Sequence, residues 1–250
     1  MTELGDRLRS VQDRIAGAAR RAGRDPAAVH LVAVTKTLPV DVVGAAYDLG
    51  LRHFGENRVE EAAGKVAVLP SDAVWHMIGH IQSRKARQVA QLMHFVHSVD
   101  SVRLATRLDR LSALRREPLP VLLEVNVSGE ASKAGFPAAR WSADSRERQS
   151  LFSSIEQVLT LPHLKVEGLM TIAPVVSVPD QARPVFAGLR EMRDALRHRY
   201  PDTDWPHLSM GMTDDFEVAI EEGATMVRIG RAIFAPGPST GAATPVVNHP

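Results

Sequence analysis

Strand-like and helix-like patterns alternate about eight times between residues 30 and 234, with no break. Parallel strands need long crossovers, and a helix is the usual one. Eight such units close into a (β/α)8 barrel of the TIM type. The open alternative is a doubly wound sheet. No glycine-rich fingerprint follows the first strand to support it.

The pattern opens with a helix over residues 2–22, where Leu4, Leu8, Val11, Ile15, Ala18 and Ala22 recur at helical spacing. Thr2 is its expected N-cap and Gly23 its stop. This helix precedes the first strand, residues 31–35, and can take the place of a final helix in the outer ring. Pro39 opens the next helix, with Val42, Val43, Ala46 and Leu49 inward. Further strands are expected at 53–55, 75–78, 95–98, 121–127, 166–172, 207–209 and 226–229. Helices are expected at 58–69, 83–92, after a cap at Asp100, through Phe152, Ile155 and Leu159, at 179–200, and from a cap at Asp214 to Gly223. Residues 128–145 are the longest loop, and loops of that length are usually functional or mobile. The expected division is one barrel domain, residues 1–234, and a disordered tail, 235–250, rich in Pro, Gly, Ala and Thr.

Composition narrows the function classes. A formal net charge of +1 gives no reason to expect nucleic acid or an anionic membrane as partner. With no cysteine, thiolate metal sites, disulfides and cysteine nucleophiles are excluded. No signal-like or membrane-spanning apolar run occurs, so a cytoplasmic protein is expected. His76 and His80 lie four apart on a strand-turn segment, not on a helix, so no metal site is expected there. Arg84, Lys85 and Arg87 read as a solvated basic face.

In a barrel of this type the site lies at the C-terminal ends of the strands. Lys36 ends the first strand, and Glu56-Asn57, Gly79-His80, Ser98, Asp100, Asn126, Ser128 and Thr171 end those that follow. From its own stretch alone, Lys36 reads as a lysine that reaches solvent over the strand end. The sharper reading is an amine kept partly desolvated for Schiff-base chemistry. The last two strands favour the second. Barrels often bind phosphate there, near a short helix. Ser209-Met210-Gly211 and Arg228-Ile229-Gly230-Arg231 supply hydroxyl, glycine and cation for an anion cradle. Gly211 and Gly230, taken singly, read as turn glycines. A lysine facing such a cradle suggests pyridoxal 5'-phosphate (PLP). Arg228 would then donate to the ring nitrogen; a surface ion pair with Glu221 or Glu222 has about equal standing on spacing. Met77, Met170, Met210 and Met212 are expected to pack the barrel top, with Met77 and Met170 able to abut the ring.

At this point the chain resembles the pyridoxal phosphate homeostasis proteins, which share a barrel with the N-terminal domain of alanine racemase. The resemblance rests on Ala33-Val34-Thr35-Lys36, Phe54-Gly55-Glu56-Asn57-Arg58, His76-Met77-Ile78-Gly79-His80-Ile81-Gln82 and Val125-Asn126-Val127-Ser128. It continues in Lys133-Ala134-Gly135-Phe136, Gly168-Leu169-Met170-Thr171-Ile172, Leu208-Ser209-Met210-Gly211-Met212 and Val227-Arg228-Ile229-Gly230, all in family order. Arg84 stands where asparagine is common, Arg231 where threonine is frequent, and Ala235 where glycine is frequent.

The resemblance implies that Lys36 is the Schiff-base lysine and that Arg228 partners the pyridine nitrogen, with Asn57 close to the ring. It places Ser209, Gly230 and Arg231 at the phosphate, largely through backbone N–H groups. It also implies a regulatory role: buffering or delivering PLP, with effects on amino-acid pools. No catalytic residue is assigned. The racemases add a second domain that supplies a catalytic tyrosine. Only Tyr47 and Tyr200 occur here, both on expected helices, and the chain is expected to end before such a domain. Losing the second acid/base removes two-sided proton transfer. The expected partners are the cofactor and, transiently, apo PLP enzymes; a monomer is expected. The alternative is a PLP-dependent amino-acid racemase.

Overall fold

A computed structural model describes residues 2–235. Its strands are β1 (His30–Val34), β2 (His53–Glu56), β3 (Val74–Met77), β4 (Phe95–Val99), β5 (Leu119–Asn126), β6 (Phe136–Pro137), β7 (Leu164–Met170), β8 (His207–Ser209) and β9 (Met226–Ile229). All pair in parallel. The order β4-β3-β2-β1-β9-β8-β7-β5, with β4 also bonded to β5, closes an eight-stranded barrel. The two-residue β6 adds onto Val125 and Asn126 at the mouth. The TIM-type expectation is met.

The ring of helices comprises α1 (Glu3–Arg21), α2 (Val40–Asp48), α3 (Val59–Val66), α4 (Ala86–Leu92), α5 (Val102–Ser112), α6 (Ser145–Leu159), α7 (Arg183–Arg199), α8 (Phe216–Glu221) and α9 (Arg231–Phe234). Helix α1 starts where Thr2 caps Gly5 N–H and buries Leu8, Val11, Ile15, Ala18 and Ala19 along one stripe. It packs on α8 and α9 and so fills the place expected of it. Arg14 pairs with Glu217 and lies 4.6 Å over the Phe216 ring, and Arg7 Nε donates to Ile233 O at 2.7 Å. These contacts tie the first helix to the last barrel unit.

Several local expectations shift. Ser101, not Asp100, caps α5, and its Oγ accepts from Leu104 N–H; Asp100 is left free to pair with His80 at 3.1 Å. Asp215, not Asp214, precedes α8, and its Oδ1 accepts from Met212 N–H at 2.6 Å. Leu49 is exposed, because α2 ends at Asp48 and the chain turns away at Gly50. Helix α9 has no counterpart among the expected elements. The expected tail lies outside the described residues apart from Ala235.

The apolar residues form two clusters. The large one lies between strands and helices. The small one holds Val32, Phe95, Leu122, Met170 and Met226, with Ile172 against it. Strand alternation turns these away from the helices and into the lumen. Branched aliphatics usually fill such a lumen. Here histidine rings share it: His76 stacks on Phe95 at 5.5 Å, and His97 meets the same ring at 5.1 Å. A polar lumen brings hydrogen-bonding groups directly beneath the mouth.

Candidate functional site

Lys36 leaves the end of β1 between two adjoining cavities of about 370 and 710 Å³ and lines both. It is exposed, so the expectation of a desolvated amine is not met in this structure. Among the described residues its ammonium has no hydrogen bond or ion pair. Its neighbours are fixed. Thr35 Oγ1 donates to Glu56 Oε1 at 2.6 Å, and Lys65 Nζ donates to Thr35 O and Glu56 Oε1, both at 2.7 Å. Glu56 and Lys65 are buried, and Glu56 Oε2 has no partner. On the other side Thr37 sits at φ 62°, a region β-branched residues rarely enter. Its N–H donates to Glu61 Oε2 at 2.8 Å and its hydroxyl to Lys36 O at 2.6 Å. Such backbone costs about 1–3 kcal/mol and persists only where the surroundings hold it. The lysine is therefore an exposed, unbonded side chain on a clamped backbone.

Arg228 rises from β9 and is 4% exposed. It makes no ion pair with Glu221 or Glu222; those acids pair with Arg21, Arg183 and Arg190. Its Nη1 donates to Ser209 Oγ at 2.6 Å and its Nη2 to Thr171 O at 2.9 Å. Burial lowers its pKa to about 10, with Glu124 and Asp215 opposing the drop, so it stays a cation at neutral pH. A guanidinium carries five N–H groups, and those not spent on Ser209 and Thr171 are available at the mouth.

Glu124, within the expected strand 121–127, is a site residue to which the sequence analysis gives no role. It lines the first cavity with Lys36, Asn57 and Arg228, and burial pushes it up to about 7. Asp100 adds to that rise, while Arg228 and His80 oppose it. The signal available was a carboxylate within an apolar run, one register step from Asn126 on the same face. Lys133, from the loop after β5, also enters this cavity. Its ammonium is spent on Ala173 O at 2.8 Å, Ile172 O at 3.3 Å and Glu130 at 3.5 Å. Of the two cavity lysines, Lys36 is the one with its amine uncommitted.

Asn57 reaches the first cavity because Gly79 leaves room for it: a Cβ on Gly79 would stand 2.6 Å from Asn57 O. Asn126 braces the loop, accepting from Ser128 Oγ and Gly129 N–H and donating to Glu130 O. Met212 is exposed and lines both cavities, whereas Met77 and Met210 face the outer core and Met170 the lumen. The methionine at the mouth is thus Met212, not Met77.

The second cavity collects Arg228, Gly230 and Arg231 with Thr213 and Asp215. Gly230 caps α9. A Cβ there would come within 3.2 Å of Val34 O and Cβ, so glycine lets β9 close against the end of β1. The Arg231 side chain is exposed and ion-paired with Asp214, which leaves its backbone as the group nearest the cradle. First-turn N–H groups of a helix have no partner within it. Ser209 lies lower: it is fully buried, its hydroxyl is bonded to Arg228 and His97, and it is absent from the lining of both cavities. The structure thus brings Lys36, Asn57, Arg228, Gly230 and Arg231 to one mouth and sets Ser209 beneath it. An uncommitted amine, a buried cation with spare donors and a glycine-bordered helix start fit a phosphorylated aldehyde. No group of His, Asp or Glu suited to a metal occurs among the described residues, nor is any of their helices long and apolar enough to cross a membrane.

Barrel and mouth together define the class: the chain belongs to the alanine racemase N-terminal domain family, whose profile matches residues 7–238. Within that class, two relatives carry the same name. The pyridoxal phosphate homeostasis protein of Aquifex aeolicus is 42% identical over 92% of this chain and 96% of its own. That of Pseudomonas aeruginosa is 44% identical over 94% and 96%. Among solved structures, PipY of Synechococcus elongatus PCC7942 without PLP matches with TM-score 0.79 and 34% identity, over 93% of this chain and 100% of that one. The same protein with PLP bound gives a TM-score of 0.77. An alanine racemase of Clostridium difficile, 13% identical, shares the fold with a TM-score of 0.67; the match covers 94% of this chain and 58% of the racemase.

Proposed function

We propose that this chain binds PLP at the mouth of its barrel, attached through Lys36, and serves intracellular PLP homeostasis by buffering or delivering the cofactor. The observation that carries the reading is Lys36: an uncommitted amine on a clamped backbone, beside the buried cation Arg228 of the neighbouring strand. The names of its relatives and the PLP-bound PipY structure support the same cofactor. When bound, the cofactor supplies an electrophilic aldehyde and an electron-accepting ring.

The roles of the chain's own residues follow. Lys36 holds the aldehyde carbon. Arg228 donates to the ring nitrogen and, as a cation, keeps that nitrogen unprotonated. Asn57 lies beside the ring. Gly230 and Arg231 present backbone N–H groups to the phosphate, and Ser209 supports them from below through Arg228. Proton exchange at a substrate carbon on both faces needs two groups at the mouth. Neither tyrosine is there: Tyr47 on α2 bonds Asp72, and Tyr200, at the end of α7, bonds Glu156 at 3.0 Å. We therefore read the protein as a carrier without strong turnover. It would act in the cytoplasm as a monomeric barrel of residues 1–234, meeting apo PLP enzymes transiently.

Borohydride reduction of the loaded protein followed by peptide mass mapping should place the cofactor on Lys36. Label on Lys133 instead would overturn the assignment. Incubation with alanine in deuterated water should leave Cα unlabelled, while an added apoenzyme gains cofactor. Rapid deuterium incorporation would establish the racemase alternative.

A further inference from the structure

A row of histidines runs through the lumen and ends on the site. His53 Nδ1 lies 2.9 Å from His76 Nε2, His76 Nδ1 lies 2.9 Å from His97 Nε2, and His97 Nδ1 lies 2.9 Å from Ser209 Oγ. Arg228 Nη1 completes it at 2.6 Å from the same oxygen. His53 opens β2 and is half-buried; His76, His97, Ser209 and Arg228 are buried. The row therefore links the N-terminal end of the barrel to the guanidinium at its mouth.

The row has one direction. A guanidinium can only donate. Ser209 Oγ has two partners among the described residues, Arg228 and His97. Its proton must therefore go to His97 Nδ1, or be left buried without an acceptor at a cost of about 1–3 kcal/mol. His97 then carries its own proton on Nε2 and gives it to His76 Nδ1. His76 in turn carries Nε2–H and gives it to His53 Nδ1. Each ring presents a lone pair toward Arg228 and an N–H away from it, so the ring dipoles add in favour of the buried cation.

We propose that His53, His76 and His97 are positioning residues: a one-way row of neutral Nε2–H imidazoles that orients the Ser209 hydroxyl and holds Arg228 for the cofactor. Only the last clause rests on the PLP reading. The surroundings agree with neutral rings. Burial lowers His97 and His76 well below the ordinary histidine value and lowers His53 as well. The neighbours of His76 are His53, His94, His97 and Phe95, with His30 and His207 farther off. His97 faces His76, Phe95 and Arg228, with His207 and His53 beyond. His53 faces His30 at 5.6 Å. The carboxylate of Glu167 stands 3.9 Å from His207, with Lys165 nearby, and bonds none of the three rings. An imidazolium at His53 would set a donor against His76 Nε2–H. Acidification must then break the row or reverse every tautomer in it.

The test is long-range 1H–15N correlation on the full-length, cofactor-free protein labelled in histidine. At pH 7 His53, His76 and His97 should each show Nε2 protonated and Nδ1 bare. Ser209→Ala removes the group that sets the direction, so His97 should become a mixture of tautomers. His94, whose Nδ1 accepts from Trp75 N–H at 3.0 Å, should not change. An Nδ1–H tautomer or an imidazolium at His97 or His76 in the wild type overturns the proposal. So does an S209A spectrum identical to wild type, which is what packing alone would give. If S209A does not fold, the wild-type spectrum still decides. His97→Phe keeps a planar aromatic ring without the two nitrogens and should weaken PLP binding about tenfold, the loss of one charge-linked hydrogen bond; unchanged affinity would refute the positioning role. A wild type that takes up no PLP would defeat the functional reading and leave the tautomer result standing.

Discussion

Replacing Glu124 with glutamine should make the protein more stable at pH 8 than the wild type, and the advantage should vanish in acid. The carboxyl is 6% exposed and accepts no compensating hydrogen bond from any of the described residues. Its value rises from 4.5 to about 7, chiefly through burial. The unfolded chain releases this proton near 4.5, whereas the folded chain holds it until about 7. Between those values the native state binds more protons, so stability falls as pH rises. At about 1.4 kcal/mol per pKa unit, the gap amounts to about 3 kcal/mol, and cavity water brings it nearer 2. Glutamine has the same shape and no charge to bury. Urea unfolding of cofactor-free wild type and E124Q at pH 5 and pH 8 measures the difference directly. The wild type should lose about 2–3 kcal/mol relative to the variant across that interval. Parallel curves would refute the assignment of a carboxyl that is protonated when folded.

Other expectations follow from the same contacts. Lys65→Met strands buried Glu56 and should cost about 3–5 kcal/mol in chemical denaturation; adding Glu56→Gln should recover part of it. Gly79→Ala puts a methyl 2.6 Å from Asn57 O and should cost about 1–3 kcal/mol while weakening PLP binding in a fluorescence titration. Arg228→Lys keeps the charge but cannot span both Ser209 Oγ and Thr171 O, so PLP affinity should fall about tenfold.

The alternation of strand and helix made the barrel legible, because eight parallel units leave few other ways to close. The same logic found Lys36, Asn57 and Arg228, since a polar residue at a strand end has one place to go. It found Ser209 too, but the hydroxyl is committed to Arg228 and His97 rather than open to the mouth. What escaped is what closure brings together. His53, His76, His97 and Ser209 belong to four strands, and each looks ordinary in its own stretch. Glu124 was visible as an interruption of an apolar strand, but only the curvature of the sheet shows that it faces the lumen and Arg228. Caps moved by one residue, Asp100 to Ser101 and Asp214 to Asp215, because Asp100 pairs with His80 and Asp214 with Arg231 instead.

The visible absorption spectrum with added PLP, taken for wild type and Lys36→Ala, decides whether Lys36 carries the cofactor. The wild type should show a visible band of lysine-bound cofactor that is absent from K36A, with both proteins folded by circular dichroism. A wild type that stays colourless, or a K36A protein with the same band, would contradict it.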